Sequence, residues 1–558
     1  MRNSYHSFIV IVGLAALVHA EVKPIIYDRP LALRRNQPEE VILSRQTLPQ
    51  IDDWLNLRIN SDQSGQVQNE QQVVIHAQNP DNLVAVWRDF RLGYRRIGVG
   101  YSFDGGWIWH DELFPQPQYP WQSDPGLTWH TSGAIYAIVL SFDPVGEDGL
   151  FVCSSLDGGV SWGPFMPAVN GVPDSFEDKE LMACDRTGSP YDGNLYIAWT
   201  RFTNFQTISR ITMVRSTNGG QSWSAALPVS DDTGVQWPVP AVGPEGKVYI
   251  AWVDYSPASI KIDVSNDGGQ TWGTDRLVQA TSFASAYINP QLLIFAFPAM
   301  DVDVTNGPNR GNVYIAYGDE WYGDTDIFFT RSADGGRSWS DPIRVNDDAQ
   351  GNGCDQFHPW LVCDEQGTLH LIFYDRRNDP AQNLFMDLYY TYSTNAGLSW
   401  SPNERITTVS SNPANDSLDS GLIGEYNGLA VRNGVIHPVW TDARDLNQDT
   451  YTAVWDTITS VPHQQRHPLA GTQIGYGLDA APSPFNSTVS LTLNLPVAGW
   501  VELAVYDLAG RKAATIFEGN AFPGELRKNW HPTGASGVYI IAAKSLLGVK
   551  CQKVLYLR

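Results

Sequence analysis

The sequence predicts an all-β chain: a β-propeller of seven blades, with six as the alternative, followed by a small immunoglobulin-like β-sandwich. Three observations predict it. Six copies of one hairpin signature run through the chain: Ser102-Phe-Asp104-Gly-Gly106-Trp-Ile-Trp109, Ser155-Leu-Asp157-Gly-Gly159-Val-Ser-Trp162, Ser216-Thr-Asn218-Gly-Gly220-Gln-Ser-Trp223, Ser265-Asn-Asp267-Gly-Gly269-Gln-Thr-Trp272, Ser332-Ala-Asp334-Gly-Gly336-Arg-Ser-Trp339 and Ser393-Thr-Asn395-Ala-Gly397-Leu-Ser-Trp400. Each consensus position has turn chemistry to explain it. The Asp or Asn accepts hydrogen bonds from backbone N–H groups, the second Gly takes a positive φ, and the Trp is expected to open the next strand as a packing ring. Second, charged residues are sparse at 17% and aromatics plentiful at 12%, which suits many short strands and tight turns. Third, Asn194-Leu-Tyr-Ile-Ala-Trp199, Lys247-Val-Tyr-Ile-Ala-Trp252, Asn312-Val-Tyr-Ile-Ala-Tyr317 and Thr368-Leu-His-Leu-Ile-Phe373 repeat a strand with period-two alternation.

In chain order, residues 1–20 have the form of an export signal: Arg2, an apolar run from Phe8 to Val18, then Val18-His19-Ala20 before Glu21. Residues 21–54 are a leader. Repeat units begin near Glu70, Ser123, Glu177, Val235, Phe297, Phe357 and Glu425, with an inner strand, a second strand, a third leading into the box and a fourth after it. The seventh unit lacks a box and a fourth strand. Leu57-Arg58-Ile59-Asn60-Ser61-Asp62 matches Ile343-Arg344-Val345-Asn346-Asp347-Asp348 after the fifth box. Residues 55–62 are therefore expected as the outer strand of the last blade, which closes the ring and hides its edges. The propeller spans 55–456, a linker 457–477, and a new domain 478–558 with strands at Val489–Leu495, Val501–Leu508, Gly537–Ala543 and Lys550–Leu557.

The six boxes resemble the Asp-box, or BNR repeat, of sialidase-like β-propellers. Pro482-Ser-Pro-Phe-Asn486, Val505-Tyr-Asp-Leu-Ala-Gly-Arg511 and Ser536-Gly-Val-Tyr539 resemble the C-terminal sorting domain of type IX secretion. The first resemblance implies a secreted or surface protein acting on extracellular glycans, as an exo-glycosidase of acidic sugars. The alternative is a non-catalytic glycan- or protein-binding adhesion propeller. The second implies the type IX secretion machinery as a partner.

In Asp-box propellers ligands bind on the face opposite the boxes, where second strands end and inner strands open. Asp89, Asp375, Glu425 and Tyr426 are the expected catalytic residues there, with Arg91, His358, Arg376, Arg377, Asp442 and Arg444 binding substrate. Carboxylates supply acid or base, and arginines clamp a substrate carboxylate bidentately. The resemblance implies three arginines on the substrate, a Tyr nucleophile assisted by Glu, and an Asp as acid/base. Where sialidases open the first inner strand with Arg-Ile-Pro, this chain has Val73-Val-Ile-His76. Against the functional reading stands repetition. Three units carry aromatic, Asp and Arg at the same place, as blade-bridging ion pairs would.

A net charge of −23 argues against nucleic acid or an anionic membrane as partner. No stretch is long and apolar enough for a transmembrane segment. Five cysteines are too scattered for a disulfide framework and are expected as buried free thiols, with a Cys354–Cys363 bridge as the alternative. No metal or cofactor motif occurs, so neither is expected. His370 and His437 read as packing variants, and Asp324, Asp326, Asp347 and Asp348 as solvated loop carboxylates rather than calcium ligands. The protein is expected to act as a monomer.

Overall fold

The computed structural model describes residues 54–455 and 477–557, apart from 144–145, 205, 417–420, 483–484, 496–498, 508–510, 522–523, 533–535 and 546–547. The export signal, most of the leader, the linker and parts of both sorting motifs lie outside the described residues. The chain divides into two compact units, one ending at Ser460 and the other beginning at Val461.

Seven four-stranded antiparallel sheets make up the first unit. Their innermost strands are Gln68–Ile75, Trp121–Trp129, Phe176–Cys184, Val235–Val242, Ala299–Val302, Gln356–Cys363 and Gly428–Arg432. Each packs against the next, and the seventh packs against the first. The contact that closes this circle is backbone on backbone. A Cβ placed on Gly428 would lie 3.1 Å from Gln72 Cα, so a side chain there would press the two backbones apart. Between sheets, facing apolar residues such as Val84, Val86, Ile135 and Ala137 form the core.

The seventh sheet is completed from the other end of the chain. Strand Trp54–Arg58 pairs antiparallel with Asp449–Trp455, from Trp54 opposite Trp455 to Arg58 opposite Tyr451. The strand is shorter than residues 55–62, because Ile59 and Asn60 turn away after two last bonds, Ile59 N to Thr450 O at 2.8 Å and Thr450 N to Asn60 Oδ1 at 2.8 Å.

The boxes are self-contained turns. In the fifth, Ser332 Oγ donates to Asp334 Oδ1 at 2.8 Å and accepts from Gly336 N, while Asp334 Oδ1 accepts from Ser338 N at 2.9 Å. Both middle positions take positive φ, as Gly335 and Gly336 do at 73° and 79°, and Ala396 adopts 58° in the sixth box. In the first box the fourth strand, His110–Leu113, begins directly after Trp109, whereas in the other five it begins four residues after the Trp, which redirect the chain between turn and strand.

A two-stranded hairpin, Ser285–Ile288 with Leu292–Phe295, is inserted between the fourth and fifth sheets. Leu293 and Phe295 join Leu422, Trp237, Phe297 and Tyr426 in one buried cluster. In the second unit, sheets Gly477–Ala481/Val489–Leu495/Gly524–Trp530 and Lys512–Ala521/Gly499–Asp507/Gly537–Ser545/Gly548–Tyr556 share a core containing Leu491, Leu493, Val501 and Leu503.

Candidate functional site at the openings of the inner strands

Five inner strands begin with the same irregularity. Pairing slips between Asn69 and Gln72, Ser123 and Gly126, Asp178 and Leu181, Gln236 and Val239, and Phe357 and Trp360. At each bulge the second residue is left-handed: Glu70, Asp124, Lys179, Trp237 and His358, with φ of 59°, 50°, 57°, 67° and 50°. A bulge re-aims a side chain that the pleat would otherwise send between sheets. In the fifth and seventh sheets pairing starts later, at Ala299 and Gly428, and Phe297 and Tyr426 hold the equivalent position. Seven equivalent positions thus carry seven different residues.

Several of these side chains meet across the circle. Lys179 Nζ, from the third sheet, lies 3.0 Å from Asp124 Oδ1 of the second, 4.0 Å from Glu70 Oε1 of the first, and in hydrogen-bond contact with Glu425 Oε2 of the seventh. It also lies 5.0 Å from the Trp237 ring centroid. Oxygens of Glu70, Asp124 and Glu425 lie within 4.8 Å of one another. Such a trio could hold a metal ion, but Lys179 already brings positive charge among them. Arg88 NH1 stands 3.1 Å from Glu70 Oε1.

Burial sets these groups apart electrostatically. Glu70 is fully buried, accepts no hydrogen bond, and is pushed well above the ordinary carboxylate range by desolvation, which Arg88 offsets only in part. Burial works the same way on Asp124, yet Lys179 and Arg88 outweigh it and hold its carboxyl below the usual value, helped by a hydrogen bond from Glu70. Lys179 is raised well above normal, because the surrounding carboxylates overcome its desolvation. Asp178 is pushed up to about 7 by burial, and Glu180 well above its usual range for the same reason. An acid that keeps its proton beside one that stays ionised is the arrangement acid–base chemistry needs.

The expected arginine clamp is not what the structure builds. Asp89 is fully buried and accepts from Trp87 Nε1 at 2.8 Å and from Arg91 NH2 at 2.7 Å, while Arg91 also reaches Asp111 at 2.8 Å. Asp442 takes Trp440 Nε1 at 2.9 Å and Arg444 NH2 at 2.7 Å, and Arg444 reaches Asn56 at 2.9 Å. Asp375 takes Arg377 Nε at 2.9 Å, and Arg377 continues to Asp347 and Asn403. Glu177 with Arg201 at 2.7 Å and Asp254 with Lys261 at 2.6 Å repeat the corner in the third and fourth sheets. Arg91, Arg377 and Arg444 are thus each paired with the buried acid of their own corner, Asp89, Asp375 and Asp442. Arg376 is buried against Asn383 O at 2.8 Å and over the Phe357 ring, and burial lowers its guanidinium to about 10.

Glu425 does reach the axial group, but it serves Lys179 rather than Tyr426. The Tyr426 hydroxyl donates to Pro125 O at 3.3 Å, and burial raises it well above its normal pKa, the reverse of an activated phenol. His358 faces the same interior with neither ring nitrogen bonded, and burial drops it to about 3. The expected site set omits Glu70, Asp124, Lys179 and Arg88, although Asp178-Lys179 stands at an inner-strand opening and Arg88 beside Asp89 in the sequence. A signal existed: the short segments Ser123-Asp-Pro125, Gln236-Trp-Pro238, Ala296-Phe-Pro298 and Phe357-His-Pro359 all place a varied residue before Pro at the strand opening.

The lesser expectations divide. His370 is no mere packing variant, since it bonds Tyr390 Oη at 2.8 Å and Asp364 at 3.1 Å. Cys153, Cys184, Cys354 and Cys363 are free, so Cys354 and Cys363 form no bridge. Asp326 and Asp348 are not solvated loop groups. Both are buried or nearly so and hold Arg344 at 2.6 and 2.7 Å. Among the described residues no helix is long and apolar enough to cross a membrane.

No protein-family model and no curated protein matches the chain. Among solved structures it is similar to the Hadza microbial sialidase Hz136, at 16% identity and a TM-score of 0.40, over 55% of this chain and 63% of that one. A Penicillium chrysogenum α-L-arabinanase complexed with arabinobiose gives 16% identity and 0.41, over 62% and 96%. A polysaccharide lyase, an ulvan lyase, gives 9% and 0.43, over 69% and 94%. These likenesses are partial, and the chemistry that follows rests on the axial geometry.

Proposed function

We propose that the chain is an exported, monomeric seven-bladed propeller that hydrolyses glycosidic bonds in extracellular glycans at the Glu70–Asp124–Lys179–Glu425 group. The observation that carries this reading is the separation of two neighbouring carboxyls, Glu70 raised and Asp124 lowered. Glu70 has a proton to give to the leaving oxygen, and ionised Asp124 attacks the anomeric carbon. Water then releases the sugar from Asp124 while Glu70 takes the proton back. Close carboxyls favour this retaining course, because an inverting pair leaves roughly 6.5–9.5 Å for a water. Lys179 keeps Asp124 ionised, and Glu425 holds Lys179 in place.

The test is release of reducing sugar from a panel of neutral and acidic glycosides. Glu70→Gln and Asp124→Asn should each lower kcat at least a hundredfold in protein that still folds, as checked by its circular dichroism, with Asp124→Asn also losing stability because Lys179 loses a buried partner. Wild-type turnover that survives both changes would reject the site. A second reading, glycan binding without turnover, is favoured by enclosure: the Lys179 side chain is only 9% exposed, and hairpin residues Leu293 and Phe295 pack in the cluster that contains Trp237 and Tyr426. Glycan binding with no turnover on any substrate would establish that second reading.

We further infer that residues 1–20 direct export and residues 478–558 direct type IX passage to the surface or medium, supported by the motifs at Pro482–Asn486 and Val505–Arg511. Deleting 478–558 should leave the propeller in the periplasm. Undiminished surface delivery would refute the sorting role.

A further inference from the structure

On the box face, a cavity of about 360 Å³ opens between the fourth and fifth sheets, lined by Lys247, Tyr249, Arg310, Arg337, Glu245 and Asp334. Its origin is a difference in turn length. In the third sheet the first turn runs from Asp185 to Asn194, closed by Asp185 N to Asn194 O at 2.9 Å. That turn carries Tyr191 into the space beside the fourth sheet, where a Cβ on Gly246 would lie 2.5 Å from its ring and one on Gly268 2.6 Å. The fourth sheet's own first turn closes sooner, by Gly243 N to Lys247 O at 2.9 Å, and brings no aromatic plug. The space that Tyr191 fills in one interval therefore stays open in the next.

Its lining is also unlike that of its siblings. The interval between the second and third sheets likewise has a short turn, and there the residues equivalent to Lys247, Arg310 and Arg337 are Ala134, Asp192 and Gln221. Three bases thus gather in the cleft beside the fifth box, on a chain whose net charge is −23. Arg310 is pinned by NH1 donating to Val304 O and Thr305 O at 2.7 and 2.8 Å. Arg337 engages Asp334 through its backbone N at 3.0 Å, and among the described residues its guanidinium meets no acceptor. Lys247 lies 3.3 Å from Glu245 at the rim. The volume falls in the range of small-molecule pockets, roughly 300–1,000 Å³.

We propose that this groove binds the oxyanion of an acidic saccharide, the carboxylate of a uronate or a sulfate ester, between Arg310 and Arg337. A planar guanidinium matches either oxyanion with paired N–H donors, and a preset one loses little freedom on binding. The groove belongs to the face opposite the inner-strand openings, and it stands independently of turnover at Glu70 and Asp124. It would hold a charged glycan chain on a protein that otherwise repels it.

Calorimetric titration of the full chain with trigalacturonate, a sulfated galactan oligosaccharide and a neutral galactan oligosaccharide of equal length tests this. We expect one of the acidic probes to bind, to weaken as salt rises, and to lose at least tenfold in affinity with Arg310→Ala plus Arg337→Ala. The single Arg337→Lys should lose less. The neutral probe should bind no more tightly to wild type than to the double variant. Which acidic probe binds identifies the carboxylate or the sulfate. Equal affinity for the neutral probe, unchanged affinity in the double variant, or no binding of either acidic probe would overturn the proposal. Measuring binding rather than turnover keeps this outcome separate from failure of the hydrolase reading.

Discussion

The box turns and the axial openings both place acids at repeated positions of the same sheets, and they use them in opposite ways. Asp334 sits at the surface and accepts from Ser338 N, Ser338 Oγ, Arg337 N and Ser332 Oγ, so its carboxyl is lowered and its charge is fully met. Glu70 sits in the interior between Arg88 and Asp124, and desolvation raises its carboxyl well above the ordinary range. A repeated residue whose bonds are all satisfied within its own turn maintains the turn. An unrepeated ionisable residue at a repeated, buried position is a candidate for chemistry, and that contrast sets the inner-strand openings apart from the boxes.

The sharpest way to break the contrast is to remove the axial cation. Lys179→Met leaves Asp124 and Glu425 buried without their partner, and should cost about 3–5 kcal/mol of propeller stability by chemical denaturation. Adding Glu425→Gln should restore part of that loss. A neutral effect of Lys179→Met would mean that these carboxyls do not carry buried charge, and the axial reading would fall.

A smaller effect should follow pH. Asp178 holds its proton to about pH 7 in the fold, whereas an unfolded Asp releases it at about 3.9. Between those values the native state binds more protons, so stability falls as pH rises through the window and levels off above about 7. His358 works in reverse. It titrates at about 3 in the fold and at about 6.5 unfolded, so stability falls as pH drops below about 6.5. The melting temperature should therefore rise from pH 8 to pH 6, and Asp178→Asn should remove part of that rise, leaving the share of Asp148, which burial also pushes up to about 7. A rise of the same size in the variant would show that Asp178 is not the group responsible.

The smallest effect belongs to the boxes. Ser155→Ala in the second box removes the acceptor of the buried Gly159 N and should cost about 1 kcal/mol, with sugar release and acidic-glycan affinity unchanged. A change in either activity would blur the division between turn and site.

Much of the scaffold was legible from local patterns. The six boxes located the third-to-fourth turns, period-two alternation located the inner and second strands, and Arg58-Ile59-Asn60 identified the strand that Asp449–Trp455 accepts as its neighbour. The corner residues Asp89, Asp375 and Asp442 were legible as a repeat, and their repetition was the sign that they anchor arginines. Glu425 was the one expected catalytic residue that the axial group contains. Its carboxylate engages Lys179, while the Tyr426 hydroxyl donates to Pro125 O.

What the sequence determined by itself was the set of interactions that close within a few residues: turn types, strand periods, and the box hydrogen bonds from Ser to Asp and Gly. These depend on spacing along the chain, and spacing is written in the sequence. The tertiary structure alone decided which residues from different sheets face one another. Glu70, Asp124, Lys179 and Glu425 lie far apart in sequence, and they meet because bulges turn three of them inward and the seventh sheet closes on the first. Their protonation follows from that meeting, since desolvation and the field of Lys179 act only once the sheets have come together. The groove has the same origin: a turn five residues shorter in one sheet leaves room that Arg310 and Arg337 of the neighbouring sheet line.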